Sequence, residues 1–204
     1  MDQINRAISI LKSPQTELAK VKTENINKND IIRQYIAILA LIPAIAYIIG
    51  YGIVGLTVGF GLGTYKLPIE WAVLGGIITY ILSVASVYIS GIVINALALN
   101  FASKQNDDQA MKLAAYSATA GLVGGIFNII PMLGIISLIF SLYGLYILYL
   151  GIPVLMETPQ DKVITYTIVI IVVTIVIAFV VGAITSNIIY SVNPMPGMMG
   201  AYRY

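Results

Sequence analysis

Long apolar runs separated by short polar segments dominate this chain. The apolar runs cover about residues 31–50, 69–100, 113–131, 132–150 and 162–190. Each is close to or longer than the roughly 20 residues that an α-helix needs to cross about 30 Å of hydrocarbon. The pattern predicts an all-α, polytopic membrane protein with five transmembrane helices in a membrane domain over residues 31–192.

The polar residues 1–30 carry a second, shorter pattern. Apolar side chains recur at helical spacing at Ile4, Ala7, Ile8 and Leu11, and Ser13-Pro14 is typical of an N-cap followed by a first-turn proline. The second helix would place Leu18 and Val21 inward. The segment is predicted to be partly amphipathic, and two interpretations stay open: an anchor in the lipid interface, or a solvated tail.

Two further segments do not follow the pattern of a span. Residues 51–68 contain five glycines and an apolar part of only about 14 residues, which predicts a re-entrant or interfacial hairpin. Residues 193–204 are rich in proline, glycine and methionine and predict a flexible tail. Thioethers bind soft metals, but three methionines without histidine or cysteine are more typical of a flexible end, so no metal is expected.

Small side chains form a strip along the second span. Steps of four and three place them on one helix face, and a glycine pair four residues apart occurs in the third span. The strip and the pair are Ala72, Gly76, Thr79, Ser83, Ser86, Ser90, Gly121 and Gly125. We expect them to be a helix-packing seam, in which Gly76→Leu or Ser83→Leu would disturb assembly far more than a change at Ile81.

Composition narrows the possible functions. Hydrophobic residues make up 59% and charged residues 10% of the chain, against about 25% charged in soluble domains. The net charge of +2 does not suggest nucleic acid binding. Cysteine and histidine are absent, which removes thiolate chemistry and the commonest general base. We therefore expect neither enzymatic activity nor a cofactor.

Lysine and arginine predict the orientation. With five spans and a cytoplasmic N-terminus, nine of the eleven basic residues lie inside, and only Lys66 and Arg203 lie outside. The N-terminal residues lack the apolar core of a cleavable signal peptide, so the first span is expected to act as the targeting signal. These features predict a plasma-membrane protein with its C-terminus outside.

The segment between the fourth and fifth spans is the richest in polar and aromatic residues. Its tyrosines share one helix face near the membrane interface, where this side chain is enriched. Gly151 is expected to end the fourth helix as a C′ residue and Pro153 to prevent its continuation, while Thr158 caps the fifth helix. A structural role is thus expected for nearly every residue.

Two chemical alternatives are weaker. Glu157 and Asp161 are paired carboxylates, but both are expected to be solvated, and no base accompanies them. The strongly polar intramembrane candidates are Asn95, Asn100 and Asn128, which could line a transport path but more often bond between helices.

The same segment resembles a known signature. The pattern Tyr-x-x-Tyr-Leu-Gly-Ile-Pro-Val-Leu-Met-x-x-Pro-x-Asp-Lys-x-x-x-Tyr, from Tyr146 to Tyr166, is similar to that of prokaryotic members of the Yip family, which is named for proteins interacting with Ypt/Rab GTPases. The resemblance implies a non-enzymatic five-span protein with a cytoplasmic N-terminus. The Asp-Leu-Tyr-Gly-Pro motif of eukaryotic members is absent from residues 1–30.

These observations predict a membrane scaffold or adaptor that organises partners or itself. Its expected partners are membrane lipids, further membrane proteins or copies of itself, and a soluble cytoplasmic protein. The candidate partner-binding residues are Tyr143, Tyr146, Tyr149, Gly151, Pro153, Glu157, Pro159, Asp161, Lys162 and Tyr166. The alternative function is a small transporter or channel component.

Overall fold

A computed structural model describes residues 3–58 and 63–192. Two short helices, α1 (Gln3–Lys12) and α2 (Pro14–Thr23), precede five long apolar helices. We number the long helices α3 (Lys28–Val54), α4 (Ile69–Phe101), α5 (Asp107–Ile129), α6 (Pro131–Leu155) and α7 (Gln160–Val192). Each is long and apolar enough to cross a membrane, which confirms the predicted all-α fold with five spans. The predicted tail 193–204 lies outside the described residues.

Helices α1 and α2 form a hairpin, hereafter the N-terminal hairpin, that packs on the bundle. Ile10, Leu18 and Val21 are completely buried, so the solvated-tail alternative is wrong. The inward positions of Leu18 and Val21 follow the sequence pattern, but the face expected on α1 does not, because Ile4 and Ile8 are exposed. Pro14 occupies the first turn of α2, although the Ser13 side chain makes no capping hydrogen bond.

The first span is irregular. Helix α3 contains two π-helical segments, Ile31–Ile36 and Ile48–Val54, and its helix is interrupted at Ala40, shortly before Pro43. It begins at Lys28 and ends at Val54, about one turn beyond each end of the predicted 31–50. A two-stranded antiparallel hairpin follows, formed by β1 (Leu56–Val58) and β2 (Gly63–Tyr65), with Thr57 opposite Thr64. The glycine-rich segment is therefore part helix and part β-hairpin.

Helix boundaries correct several predictions. The polar segment between the second and third predicted spans contains a loop of only five residues, 102–106. Asn106 caps α5 there by accepting hydrogen bonds from the amides of Asp108 (3.0 Å) and Gln109 (3.1 Å). Helix α6 does not end at Gly151 but continues through Pro153 to Leu155. The turn that needs a positive φ occurs instead at Glu157, with φ of 51°.

Gly151 lies inside α6 because other helices approach it closely. A Cβ atom at this position would lie 2.4 Å from Leu113 Cδ1 of α5 and 3.5 Å from Leu18 Cδ2 of α2. No side chain larger than hydrogen fits without a shift of those neighbours. The glycine thus serves helix packing rather than helix termination.

The buried core is concentrated at the end of the bundle that carries the N-terminal hairpin. Ile94, Leu113, Ile147 and Ile152 are inaccessible there. Tyr166 of α7 is also buried, donates a hydrogen bond to the Ile94 carbonyl and stacks on Phe101 with a centroid distance of 4.6 Å. Towards the other end, α6 and α7 expose large apolar side chains suited to lipid contact. The bundle is therefore tightly packed in one half and open in the other.

The small-residue seam on α4 divides between two environments. Ala72 is buried and Gly76 packs on α3, where an added Cβ would lie 2.4 Å from Ile48 Cγ1. Thr79 donates to its own helix, at the Gly75 carbonyl. The serines, by contrast, line a cleft between α4, α5, α6 and α7; they are Ser83, Ser86 and Ser90.

The glycine pair of α5 also has two partners. Gly125 packs on Pro43 of α3, where a Cβ would lie 2.6 Å from the proline Cβ. Gly121 faces α6 and lines the same cleft, with Ser141 Oγ 3.2 Å from the position of an added Cβ. These glycines hold helices within one chain in close contact.

Gly76→Leu should destabilise the bundle, whereas Ile81→Leu should not. The leucine would overlap Ile48 and the Ala44 carbonyl, and overpacking costs about 1–3 kcal/mol, while Ile81 is 56% exposed. Ser83→Leu enters the cleft and should be tolerated, unlike the expectation from the sequence. Thermal unfolding in detergent measures all three. Equal losses for Gly76→Leu and Ile81→Leu would contradict the packing role of the seam.

Candidate docking surface at the N-terminal end of the bundle

Three contacts show how the N-terminal hairpin lies on α6. Tyr143 donates a hydrogen bond of 2.8 Å to the Leu11 carbonyl, Leu18 contacts the Gly151 position, and Lys22 pairs with Glu157 just beyond the end of α6. Because these contacts follow the same order along both helices, α2 runs parallel to α6. The turn between α1 and α2 lies beside Tyr143, about 18 Å before the end of α6 at 1.5 Å per residue. The hairpin is thus built into the side of the bundle.

Lys112 of α5 fixes the last turn of α2. Its side chain is only 1% exposed, and its ammonium donates to the carbonyls of Val21 (2.9 Å) and Glu24 (2.6 Å). These carbonyls have no partner within a helix that ends at Thr23, and they form the negative end of the helix dipole. Gln109, one turn earlier on α5, donates to the Lys22 carbonyl at 2.9 Å. Two side chains of α5 therefore cap α2.

Arg6 joins the two helices of the hairpin. Its guanidinium donates to Glu17 at 2.5 Å and to Glu24 at 2.6 Å, and both Arg6 and Glu17 are buried. Burial alone lowers the pKa of Arg6, but the hydrogen bond to Glu24 and the charges of both carboxylates outweigh it and raise the pKa. The two ion pairs therefore favour the charged form of the buried guanidinium.

Two connections at this end of the bundle are hydrogen-bonded to each other: residues 102–106, between α4 and α5, and residues 156–159, between α6 and α7. The Lys104 amide donates to the Met156 carbonyl at 2.8 Å, and the hydroxyls of Ser103 and Thr158 lie 2.8 Å apart in a buried contact. Thr158 was expected to cap α7, but its hydroxyl bonds to Ser103 and to the Ile152 carbonyl of α6 instead. This arrangement orders both connections.

Glu157 links the connections to the hairpin. Its carboxylate lies 3.2 Å from Lys22 Nζ and 3.8 Å from Lys104 Nζ. The hydrogen bond and charge of Lys22, with a further contribution from Lys104, lower the pKa of the Glu157 carboxyl. We call the combined surface the platform; it comprises the N-terminal hairpin, residues 102–106, residues 156–159 and the first turn of α7.

Six of the ten candidate partner-binding residues are exposed, either on the platform or on the neighbouring side of α6. Glu157, Pro159, Asp161 and Lys162 belong to the platform. Tyr146 is exposed on α6, as is Tyr149 one turn further along, which suits these two rings to the lipid interface.

The other four candidates have structural positions. Tyr143 is half-buried against α1, Pro153 lies within α6, Gly151 contacts α5, and Tyr166 is buried between α4 and α7. Gly151 and Tyr166 are buried, whereas Tyr143 and Pro153 are partly exposed. They hold the helices that present the exposed residues.

Sequence reasoning missed the residues that fix the hairpin. No packing role was predicted for four residues of the polar segments, Arg6, Glu24, Gln109 and Lys112. Lys112 carried one available signal, because it stands within a helical segment that includes the otherwise apolar residues 110–116. A cation on the buried face of an amphipathic helix needs a partner, but the sequence does not reveal that the partner is the end of α2.

The three asparagines proposed for a transport path do not come together. Asn95 lies at the platform end of α4, bonds Asp107 and accepts from the Asn106 amide at 2.8 Å. Asn128 lies at the far end of α5, beside Ser137, and Asn100 is exposed. Each belongs to a local polar contact or to the surface, and they line no common cavity among the described residues.

Lys112→Met should release the N-terminal hairpin while leaving the five spans folded. Removing a charged hydrogen-bond donor from buried carbonyls costs about 2 kcal/mol, which corresponds to roughly thirtyfold faster exchange through local opening. Hydrogen–deuterium exchange of the amides in 14–24 measures this change.

Lys162→Met is the matched control. Because Lys162 is exposed, this substitution should leave the exchange rate of the amides in 14–24 unchanged. Unaltered exchange over 14–24 in Lys112→Met would contradict the capping role. An equal increase over all helices would show that Lys112 acts on the whole fold instead.

Comparison with known proteins identifies the family. A search of curated proteins and a search of solved structures each found no match. A family model described as the Yip1 domain matches residues 8–182, a range that includes most of the N-terminal hairpin, the connections of the platform and all of α3 to α6. The match confirms the resemblance that the segment from Tyr146 to Tyr166 suggested: the chain belongs to the Yip1 domain family.

Proposed function

We propose that this protein is a non-enzymatic membrane scaffold or adaptor whose platform binds a soluble partner. The observation that carries the proposal is the pinned platform, in which Lys112, Arg6 and Glu157 tie the hairpin and two connections together. A surface that is already ordered loses little conformational entropy on binding, so more of its contact energy appears as affinity. Membership of the Yip1 domain family is consistent with an integral membrane role.

Charge distribution supports a cytoplasmic position for the platform. The basic residues Lys12, Lys20, Lys22, Lys104 and Lys162 all lie on it, and Lys66 follows the β-hairpin between α3 and α4. By the positive-inside rule, we infer that the platform faces the cytoplasm and that the five spans lie in the plasma membrane. A soluble cytoplasmic protein with a mixed-charge surface is the partner that this arrangement suits.

The exposed first turn of α7 is the proposed contact point. Asp161 and Lys162 present opposite charges, and Pro159 fixes the backbone before them. Among the described residues, Asp161 and Lys162 form no ion pair with another side chain, in contrast to Glu157, which binds Lys22 and Lys104. Their charges therefore remain available to steer a partner.

A photo-cross-linking amino acid at Gln160, between these residues, tests the proposal in native membranes. We expect capture of one reproducible soluble protein, and reversal of the neighbouring charges in Asp161→Lys with Lys162→Glu should reduce its yield about tenfold, since mismatched charges at an interface weaken binding by at least about 1.4 kcal/mol.

The control places the same cross-linker at Ile139, which is 62% exposed on the lipid-facing side of α6 and should capture no soluble protein. Capture at Gln160 of lipid only, or of a second copy of this chain only, would overturn the adaptor function. A soluble capture that charge reversal does not reduce would refute the proposed contact point.

A further inference from the structure

The cleft between α4, α5, α6 and α7 is large and has one closed end. Its volume is about 640 Å³, within the 300–1,000 Å³ typical of ligand pockets. Ile94, Leu148 and Ile170 close the end nearest the platform and are buried. The opposite rim opens sideways between α6 and α7, where Leu138, Leu142 and Ile175 are 62%, 57% and 59% exposed. The cleft is continuous with the lipid-facing surface.

The chemistry of the lining excludes a polar ligand. Although the walls contain several hydroxyl groups, most of these donate to carbonyls of their own helices. Ser86 donates to Ser83, Ser90 to Ser86, Ser117 to Leu113, Ser141 to Ser137 and Thr174 to Ile170, at 2.7–3.1 Å. None of the lining residues carries a charge. The walls therefore present mainly carbon atoms, which suit a hydrocarbon.

The dimensions favour a single flexible chain. The cleft follows α4 from Ser83 to Ile94 and α7 from Ile170 to Gly182, which is about 17 Å at 1.5 Å per residue. That length is roughly half of the 30 Å hydrocarbon core, or the depth of one leaflet. Ile94, Leu148 and Ile170 block the platform end of the cleft, so a helix that crosses the whole membrane cannot run along it, whereas an acyl chain can end there.

We propose that the cleft is a binding site for one acyl chain of a membrane phospholipid. The chain enters sideways between α6 and α7 and lies against the serines of α4 and α5, while the headgroup stays at the membrane surface. The small side chains of the seam thus make room for lipid in this half of α4, as they make room for α3 in the other half. This site is independent of the platform and of its proposed partner.

The test uses the full chain in nanodiscs that contain a phosphatidylcholine with a photoactivatable group near the end of one acyl chain. Cross-linked peptides are mapped by mass spectrometry, and phospholipid retained after detergent washing is counted by native mass spectrometry. We expect labels on cleft residues such as Ser117 and Leu148, which bulk lipid cannot reach, and about one retained phospholipid per chain, the single occupant that a pocket of this size accommodates.

Ala178→Phe fills the cleft, and Val176→Phe is the matched control two residues away on α7. Both residues are exposed, but only Ala178 lines the cleft. Ala178→Phe should reduce labelling of the cleft residues about tenfold, which corresponds to about 1.4 kcal/mol of overpacking. Val176→Phe should be labelled to the same extent as the unmodified protein. Ser83→Leu, which occupies the cleft from α4, should act in the same way as Ala178→Phe.

Three outcomes would overturn the proposal. Labels confined to outward-facing residues would show that lipid does not enter the cleft. Equal labelling in Ala178→Phe and Val176→Phe, with both proteins folded by thermal unfolding, would show that the cleft does not select a chain. Cross-links from cleft residues to a second copy of the protein would identify a different occupant.

Discussion

The architecture of the platform depends on one buried ammonium group. Lys112 lies on the inner face of α5, and its partners are two carbonyls at the end of α2 rather than a carboxylate. A buried cation without hydrogen-bond acceptors would cost several kcal/mol, so α5 requires the hairpin as much as the hairpin requires α5. Arg6 then ties α1 to α2, and Lys22 ties α2 to Glu157, just beyond the platform end of α6. These links order a surface that would otherwise consist of a tail and two loops.

The same helices behave differently a short distance into the membrane. Near the platform, Ile94, Leu148 and Ile170 fill the space between four helices, and the Tyr166 hydroxyl ties α7 to α4. Beyond that level α6 and α7 expose their apolar faces, and the small residues of α4 and α5 leave a cleft. In water such a gap would be costly, but lipid chains are as apolar as the side chains they replace, so a bundle in a membrane can stay open there.

Much of this architecture follows from the sequence, because the constraints that set it are local. Five spans are predicted by the length of the apolar runs, and the family by the segment from Tyr146 to Tyr166. The end of α6 could not be predicted from the neighbouring sequence. Glycine is typical of a helix C-terminus, but at position 151 it is required because Leu18 and Leu113 pack closely against it. The contacts of Lys112 and Arg6 could not be predicted either, since their partners lie 88 and 11 residues away along the chain. The seam was predicted as one continuous helix face. In the structure one part of it packs on α3 and the other part lines the cleft, a division that depends on the tertiary arrangement.

The N-terminal hairpin is a fixed part of the bundle, which a distance measurement tests directly. The chain has no native cysteine, so spin labels at Asn5→Cys and Gln160→Cys, both exposed positions, report one distance by double electron–electron resonance in nanodiscs. The structure predicts a single narrow distribution, comparable in width to that of a control pair at Asn100→Cys and Gln160→Cys. A broad distribution for the Asn5 pair beside a narrow control would show a detached hairpin and contradict the account.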